Sequence, residues 1–430
     1  MQNEITFNFT STSDIRKEKV LKMKTLVTKV EIHDDLANTK FSGLELINEG
    51  TTTFSYDFDD STPNQFHDIL INYKMGDTLV LKRSPSQEIS SVRVTIYGIP
   101  ALRWKSYGEN LSLKILSMPV MTSDGDIYSL ISRSNQTLKI NKKGHQELTN
   151  LNLDGTWYPG VVDANDKIYC EPHVDTRKAN DAACILHYDP KQNSYEKYAK
   201  GGPFFYENKL LGYRPYFGSV LANNGYIYLL PFDRGNVAKF NPIDKTLVDL
   251  EINYGGSRFM GGVLANDGHI YLIPAYWHSV VKINTETDMA SDIGPRFNGA
   301  WKWQTGVLAK DGNIYCCPRE ANKVLKIDVQ NQTAEKVGPT LEGAMKWCQF
   351  VEDSEGFLIG IPSLSNHILR FDPTTHEAIL MPLEKKYTNV VGKKWIGGIR
   401  GKNGIIYAIP FDCEQVLQIG PVDSTNFIEN

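Results

Sequence analysis

Pairs of a basic residue and an aromatic residue recur along this chain and could build a ligand-binding surface. The aromatic position is filled by Trp157, Tyr216, Phe259, Trp303, Trp347 and Trp395, and the residue before it is basic in four copies: Arg258, Lys302, Lys346 and Lys394. Aromatic faces flanked by cations bind sugars, acidic polymers or protein loops. A residue type repeated at regular intervals more often serves the scaffold, with the ring packed and the cation solvated. The sequence supports both hypotheses.

Segments that differ from copy to copy are stronger candidates for a specific function, because packing does not dictate their residues. They join the second and third predicted strands and cover residues 232–236, 275–278, 319–322, 363–367 and 411–414, with the longest version at 171–181. The connection 201–214 enlarges the same side. The charged and aromatic candidates in them are Arg234, Tyr276, Trp277, His278, Arg319 and Glu320. A polar rim that carries aromatic side chains suits recognition of a partner. We expect these residues to form one binding face with the tryptophans and cations above.

An enzymatic alternative would use a histidine as general base with a carboxylate partner. The candidate bases are His173, His278 and His367, and the candidate partners are Asp175, Asp233, Asp412 and Glu414. The sequence contains no nucleophile elbow, no phosphate-binding loop and no His-Glu-x-x-His motif. No catalytic residue can therefore be assigned.

No cofactor is expected from the sequence, and calcium is the one metal for which it offers a candidate segment. Residues 57–60 (Asp-Phe-Asp-Asp) lack the turn glycine and the distal bidentate carboxylate of a calcium loop, so a solvated loop is favoured. A metal on the axis of a ring of repeats would need carboxylates and an asparagine from different repeats. Nothing in the sequence selects such a set.

The candidate residues are positioned by an internal repeat that begins near residue 111. Its mark is an Ile-Tyr pair, whose tyrosines are Tyr128, Tyr169, Tyr228, Tyr271, Tyr315 and Tyr407, with Ile359 in that place in the sixth copy. The successive spacings are 41, 59, 43, 44, 44 and 48 residues, and a proline follows three residues later in six of the seven copies. Strand-rich repeats of this length are typical of propeller blades.

Each copy divides into four predicted strands. In the fifth copy, the strand 306–309 leads through Asp311-Gly312 into 313–317, which Pro318 ends, and strands 324–327 and 333–337 follow. Asp-Gly or Asn-Gly supplies the positive φ that a tight hairpin requires. Proline is tolerated at a strand end, where no further ladder donor is needed.

The repeat resembles those of seven-bladed β-propellers, with a core of the form G-[GV]-x-L-A-x-[DN]-G-x-I-Y-x-I-P over about three quarters of the chain. It lacks the Gly-His and Trp-Asp pairs of WD repeats, the kelch pattern and the Ser-x-Asp-x-Gly-x-Thr-Trp box of sialidases. It is loosely similar to the NHL-like, lactonase and streptogramin-lyase propellers. The resemblance implies an all-β fold and selects no characterised family.

The chain is predicted to have two domains, an N-terminal β-sandwich at 1–108 and the propeller at 109–430. About seven short strands in the first part favour a small sandwich that anchors or oligomerises the protein. Two segments compete for the closing strand of the ring: 111–116, which would clasp the last blade, and 426–429, which would let that blade complete itself.

Composition excludes several classes of protein. A net charge of -4 gives no bulk signal for nucleic acid or an anionic membrane, and no apolar run is long enough to span a bilayer. The first residues lack a basic segment followed by an apolar core, which predicts cytoplasmic synthesis without a signal peptide. The six cysteines are predicted to be reduced, buried thiols: Cys170, Cys184, Cys316, Cys317, Cys348 and Cys413.

The favoured function is a non-enzymatic binding or structural protein whose propeller face recognises a protein or glycan partner. The layout suits a virion or phage structural or receptor-binding component, with assembly through the N-terminal domain. Two alternatives are kept: a lactonase-like hydrolase or lyase with an axial metal, and a carbohydrate-binding lectin that uses the aromatic ring.

Overall fold

A computed structural model describes the residues on which the following account rests. They are 2–9, 16–20, 25–34, 41–48, 51–57, 65–72, 78–83, 90–100, 102–108, 110–111, 115–132, 136–151, 156–173, 184–198, 205–206, 209–210, 216–232, 236–254, 258–421 and 424–428. In the strands up to Pro100, the description covers the backbone alone.

The Asp-Gly-x-Ile-Tyr motif forms a closed local unit at the turn between the first and second strands. Gly312 has a φ of 82°, the conformation that favours glycine in this turn. One Asp311 oxygen accepts the backbone N–H of Asn313 at 2.9 Å, and the other accepts the Tyr315 hydroxyl at 2.8 Å. Tyr315 also donates to the carbonyl of Pro373 in the next repeat at 3.0 Å. The motif therefore shapes one hairpin and ties it to its neighbour.

The repeats form the seven blades of a β-propeller, each an antiparallel sheet, and in blades one to six neighbouring strands follow chain order. Blade one has a split inner strand, Ile115–Leu116 and Val120–Met121, followed by Ile127–Ser132, Gln136–Ile140 and Gln146–Asn150. Blade two contains Thr156–Val162, Ile168–His173, Ile185–Asp189 and Ser194–Tyr198, and a hairpin of Phe205–Tyr206 and Lys209–Leu210 follows it. Blade three contains Tyr216–Leu221, Ile227–Pro231, Asn236–Phe240 and Leu247–Asn253.

The remaining blades follow the same order. Blade four contains Phe259–Leu264, Ile270–Pro274, Val280–Asn284 and Met289–Ile293. Blade five contains Trp303–Leu308, Ile314–Pro318, Val324–Asp328 and Thr333–Val337. Blade six contains Trp347–Glu352, Leu358–Pro362, His367–Phe371 and Ala378–Pro382, and a four-residue helix, Lys385–Thr388, follows it. Blade seven contains Trp395–Arg400, Ile406–Pro410, Val416–Pro421 and, as its outer strand, Leu102–Tyr107.

The core of the propeller lies between adjacent blades. In blades three to seven, all five residues of the second strand are buried, whereas most residues of the fourth strands in blades three to six are exposed or half-buried. One cluster joins Tyr271 and Ile273 of blade four to Trp303, Cys316 and Leu325 of blade five. Because each sheet buries both faces against its neighbours, no blade completes its core alone. All six cysteines are free and buried, as the sequence predicted.

Blade seven closes the ring with strands from both ends of the repeat region. Its outer strand, Leu102–Tyr107, precedes blade one in the sequence, whereas its three inner strands follow blade six. The closing strand is thus neither 111–116 nor 426–429, the two segments that the sequence offers for this position. A clasp between both ends removes the free sheet edges that an open array would leave.

The chain divides into two compact units: Met1–Arg103 with Gly420–Thr425, and Trp104–Ile419 with Asn426–Asn430. The first unit contains two four-stranded antiparallel sheets. One has the order Gln2–Phe9, Ser90–Pro100, Thr25–Asp34, Gln65–Asn72, and the other Arg16–Val20, Thr78–Arg83, Phe41–Asn48, Thr51–Asp57. A β-sandwich in this unit stays a prediction. The longest helix in the described part of the chain has four residues, so none there can cross a membrane.

Candidate functional site

The repeated lysines are buried clamps that hold the loops of the propeller face. The Lys302 ammonium donates to the carbonyls of Ala275 at 2.9 Å, Trp277 at 2.8 Å and Gly299 at 3.0 Å. Lys346 repeats the arrangement on the carbonyls of Arg319, Ala321 and Gly343 at 2.9–3.0 Å, and Lys394 donates to that of Leu364 at 3.0 Å. Each ammonium therefore fixes the loop that follows the second strand of the preceding blade.

The backbone of the same lysine holds the corresponding loop of its own blade. The Lys302 carbonyl accepts the N–H groups of Arg319 and Ala321, each at 3.0 Å. The Lys394 carbonyl accepts those of Phe411 at 2.9 Å and Cys413 at 3.3 Å. One residue thus ties two neighbouring loops together, which gives the face a rigid frame.

These contacts correct the expected ring of solvent-facing cations at Lys302, Lys346 and Lys394. The three lysines are only 2–3% exposed. Burial penalises the charged ammonium, which lowers the pKa of Lys302 to about 8 and also lowers those of Lys346 and Lys394. The carbonyl acceptors offset part of that cost. A ligand has no access to these groups.

The tryptophans are likewise part of the scaffold. Trp303, Trp347 and Trp395 are 0–2% exposed. Their indole N–H groups donate to the carbonyls of Lys323 at 2.9 Å, His367 at 2.8 Å and Gln415 at 3.4 Å, each 20 residues further along the chain. A buried indole needs such an acceptor. The rings consequently hold the first strand against the start of the third, and the exposed aromatic ring considered from the sequence does not form at these positions.

Side chains from six of the seven blades meet around one cavity of about 250 Å³, which places it on the axis of the ring. The described lining residues are Met118, Phe217, Met260, Trp301, Gln304, Arg319, Met345, Cys348, Ser363, Lys393, Trp395, Ile396 and Phe411. We call this space the axial cavity.

Three register positions of the repeat supply most of this lining. The residue after the repeated aromatic gives Phe217, Met260, Gln304, Cys348 and Ile396. The residue two before the aromatic gives Trp301, Met345 and Lys393, and the residue after the second-strand proline gives Arg319, Ser363 and Phe411. Side chains alternate across a strand, so the neighbour of a packed aromatic turns away from the blade interface and toward the axis.

The axial cavity combines apolar and charged side chains. On the side of blades three and four, Phe217, Phe232, Met260 and Ala275 form an apolar cluster, with Met118, Tyr276 and Trp301 packed against it. The side of blades five to seven adds Gln304, Arg319, Ser363 and Lys393 together with Met345, Cys348, Trp395, Ile396 and Phe411. The cavity therefore places two cations in a mostly apolar lining.

Arg319 is the best-positioned charged group of the cavity. Its guanidinium lies 4.4 Å from the ring centre of Trp301, within cation–π distance, and one terminal nitrogen lies 3.3 Å from the sulfur of Met260. The Lys346 clamp on its carbonyl fixes its backbone. Lys393, from blade seven, lies 5.6 Å from the ring centre of Phe411.

The other predicted site residues fall outside the lining of the axial cavity. Tyr276 meets Trp301 edge-on at 4.8 Å, just beyond the lining. Trp277 packs on His278 at 4.4 Å and donates to Asp292 at 2.6 Å, and Arg258 lies 5.5 Å from the Trp277 ring. Glu320 accepts the N–H of Met345 at 3.1 Å. Arg234 lies outside the described residues. Ligand binding by the accessible members of this group stays a prediction.

The candidate acid–base residues are not brought together in the described part of the chain. His278 shares a hydrogen bond of 3.0 Å with the Ser279 hydroxyl, and the His367 carbonyl accepts from Trp347. Asp412 and Glu414 line a separate open cleft on blade seven with Lys386 and Tyr387. The side chain of His173 and all of Asp175 and Asp233 lie outside the description. Among the described lining residues of the axial cavity there is no histidine or carboxylate.

No group of three or more His, Cys, Asp or Glu residues that could hold a metal ion occurs in the described part. Residues 58–60 of the candidate calcium loop fall outside that part. The axial lining contains thioether and thiol groups but, in the described positions, none of the carboxylates that calcium would require.

Sequence reasoning singled out Arg319 and Trp395, which both line the axial cavity, and missed most of the other lining residues. Met118, Phe217, Met260, Trp301 and Lys393 carry no motif of their own. The available signal was the residue type after each repeated aromatic, which changes from Phe to Met, Gln, Cys and Ile between blades. A position whose residue type varies between blades, next to one whose type is constant, is a position that packing does not dictate.

Comparisons with known proteins agree on the fold. Neither a protein-family model nor a curated protein matches this chain. Among solved structures, virginiamycin B lyase from Staphylococcus aureus is similar with 14% identity and a TM-score of 0.58, over 74% of this chain and 99% of that one. The same lyase in a catalytically inactive form with quinupristin gives 13% identity and a TM-score of 0.59, over 74% and 99%.

A bacterial extracellular domain has a comparable TM-score. The extracellular domain of a protein described as a hybrid two-component system from Bacteroides thetaiotaomicron has 10% identity and a TM-score of 0.55, over 96% of this chain and 54% of that one. At such identities the likeness shows the fold alone. The class of protein defined by fold and site is a seven-bladed β-propeller with an axial cavity.

Proposed function

We propose that this chain is a non-enzymatic binding protein whose propeller takes up a partner group in the axial cavity. The observation that carries the proposal is the cavity itself, lined from six blades by side chains that the repeat does not dictate. Aromatic residues, methionine and arginine are the types enriched where proteins bind partners. The compact size of about 250 Å³ suits a small ligand or the tip of a partner's loop.

The rigid frame around the cavity supports this proposal. Lys302 and Lys346 hold the loop that carries Arg319 from both sides, and Lys394 holds the loop of blade seven that carries Phe411. A preorganised site loses less conformational entropy when a ligand binds. In the same proposal the N-terminal strands form a β-sandwich that anchors or oligomerises the protein. A virion or receptor-binding setting and cytoplasmic synthesis rest on layout and sequence alone.

The test blocks the cavity without disturbing the scaffold. Ser363→Phe places a ring where blades three and seven already have Phe232 and Phe411, so the backbone tolerates phenylalanine at this register position. Ser291→Phe, on the exposed outer strand of blade four, is the matched control. Libraries of small organic molecules, glycans and peptides are screened by thermal shift. Hits are expected to bind the parent and Ser291→Phe, and to lose binding in Ser363→Phe.

Two outcomes would overturn the proposal. Hits that bind Ser363→Phe as tightly as the parent would place recognition elsewhere on the molecule. If mass spectrometry shows that the parent protein converts a hit to product, the hydrolase or lyase alternative would replace the proposed non-enzymatic function. A full screen without any cavity-dependent hit would also refute the axial site.

A further inference from the structure

We infer that the axial cavity selects a ligand with an aromatic ring, and that Trp301 and Met345 make the selection. This inference rests on the proposed binding function and names its ligand class. It is carried by a short loop motif that occurs before blades five and six and places one variable side chain in the lining of the cavity.

The loops that lead into blades five and six have the same construction. Residues 299–303 read Gly-Ala-Trp-Lys-Trp and residues 343–347 read Gly-Ala-Met-Lys-Trp, so the two segments differ only at the third position. In both, the glycine has a positive φ, 107° and 105°. Its carbonyl accepts a hydrogen bond from the clamp lysine of the motif, Lys302 at 3.0 Å and Lys346 at 2.9 Å. The constant residues therefore build the loop, and the third position alone varies.

The variable position has a backbone conformation that costs free energy. Trp301 has a φ of 52° and Met345 a φ of 46°, in the left-handed region that bulky residues rarely adopt. The Trp301 carbonyl accepts the N–H of Glu320 at 3.2 Å, and the Met345 carbonyl accepts that of Leu364 at 3.0 Å, which holds both residues in place. Glycine would adopt this conformation without the cost, so the backbone does not require either side chain. Strain of this kind is typical of residues that are retained for function.

Both variable side chains line the axial cavity. The Trp301 ring packs edge-on against Tyr276, with ring centres 4.8 Å apart, and lies 5.8 Å from the ring centre of Phe232. Met345 brings a flexible and polarisable thioether from the next blade. The same loop position thus supplies a supported ring from blade five and an adaptable sulfur from blade six.

These groups and their neighbours favour an aromatic ring over a saturated one. The described lining contains three methionines, Met118, Met260 and Met345, and four aromatic side chains, among them Trp301 and Phe217. Thioethers make favourable contacts with aromatic rings, and pairs of aromatic rings are stabilised beyond their buried area. A saturated ring of equal size gains from burial alone. The volume of about 250 Å³ limits the ligand to one or two rings, and glycans lack the aromatic ring that this lining selects.

The experiment compares benzyl alcohol with cyclohexylmethanol, two uncharged probes that differ only in the ring. Binding to the full-length protein is measured by ligand-observed NMR titration. We expect benzyl alcohol to bind about 10-fold tighter. Burial of apolar area alone predicts the opposite order, because the saturated ring is the more hydrophobic of the two. The sign of the preference therefore separates aromatic selection from simple hydrophobic burial.

Two variants test the variable position. Met345→Leu keeps an apolar side chain of similar volume and removes the sulfur, so benzyl alcohol should bind about 3-fold more weakly and cyclohexylmethanol as before. Trp301→Met introduces the residue that the motif carries in blade six, and should lower the preference for benzyl alcohol to about 3-fold or less. Met289→Leu, on the exposed outer strand of blade four, is the matched control and should change neither affinity.

The outcomes separate this inference from the proposed function. If the parent binds cyclohexylmethanol as tightly as benzyl alcohol or tighter, and Ser363→Phe loses both, aromatic selection is overturned while the axial site stands. An unchanged preference in both Met345→Leu and Trp301→Met would show that these residues do not select the ligand. No binding of either probe, while other hits depend on the cavity, would show that the ligand class is wrong. Each variant must unfold at the parent's temperature, and the second variant carries the test if the first fails to fold.

Discussion

Neighbouring residues of one type have different roles in this propeller, as two consecutive lysines of blade seven show. Lys394 is buried and its ammonium donates to a carbonyl of blade six, whereas Lys393 lines the axial cavity. Their order relative to Trp395 decides the difference. The ammonium of Lys394, just before the packed aromatic, lies among the loops, whereas Lys393, one position earlier, lines the axial cavity.

Glu171 is another residue whose surroundings differ from those of its counterparts. It occupies the second-strand position that holds Leu230 in blade three and Ile273 in blade four, and it is 1% exposed. Its carboxylate accepts the N–H of Gly218 at 2.6 Å and the hydroxyl of Ser219 at 2.9 Å, both in the next blade. Burial raises its pKa from 4.5 to about 7, and the two hydrogen bonds limit the rise.

The stability of the protein should therefore depend on the protonation of Glu171. The folded state binds this proton more tightly than the unfolded state, so the stabilisation is complete below pH 4.5 and is lost as the pH rises toward about 7. Glu171→Gln keeps a neutral group at every pH. We expect it to be more stable than the parent at pH 8 by up to about 3 kcal/mol and equal to it near pH 4.5.

Urea unfolding at both pH values measures this difference. Glu286→Gln, at an exposed turn, is the matched control and should follow the parent at both pH values. A Glu171→Gln variant that is less stable than the parent at pH 8 would show that the carboxylate is charged and favourable in the folded state, which contradicts the expected sign.

At the scale of elements, the loops of the propeller face are joined by the lysine clamps. Lys346 connects blade five to blade six through its donations to Arg319 and Ala321, and its own carbonyl accepts from Ser363 and Ser365. A loop held at both ends presents its side chains with little freedom. The candidate ligand site consequently depends on residues that never touch the ligand.

Lys346→Met should destabilise the protein by about 3 kcal/mol, because the carbonyls of Arg319, Ala321 and Gly343 lose a charged donor that the shorter thioether side chain cannot replace. Chemical unfolding measures the change. Lys310→Met, whose ammonium donates to the exposed Ser354 carbonyl, should stay within about 0.5 kcal/mol of the parent. A similar loss in both variants would refute a special role for the clamp.

The fold of the repeats was predictable from local chemistry. Asp311-Gly312, Tyr315 and Pro318 each have a local physical reason, and together they define hairpins of fixed spacing. The axial cavity was not predictable in the same way, because its residues share a register position and no residue type. The prediction of a ligand site at Lys302 and Trp303 was wrong for a different reason. The two residues repeat between blades because their side chains donate to backbone carbonyls of the scaffold.

At the scale of the whole molecule, one short strand decides whether the repeats form a closed ring. Tyr107, at the end of Leu102–Tyr107, is 1% exposed and donates to the Gly144 carbonyl of blade one at 2.9 Å. Its ring lies 5.9 Å from that of Tyr407 in blade seven. The strand thus connects the last blade with the first. Without it, Val416–Pro421 would become an unpaired sheet edge.

Two truncated chains test this closure and differ only in that strand. A chain that begins at residue 101 retains Leu102–Tyr107 and should remain a cooperatively folded monomer. A chain that begins at residue 110 exposes the edge of blade seven and the apolar cluster that Tyr107 completes with Ile405 and Phe427. We expect it to aggregate or to melt at least about 10 °C lower, since loss of one buried aromatic alone costs about 3–5 kcal/mol.

Light scattering and differential scanning calorimetry compare the two chains at equal concentration. If both unfold at the same temperature as monomers, blade seven is stable with three strands and Leu102–Tyr107 is not the closing element. If both aggregate, the propeller depends on the first unit beyond the closing strand. Only a stable longer chain beside an unstable shorter one supports closure by this strand, because the two differ by residues 101–109 alone.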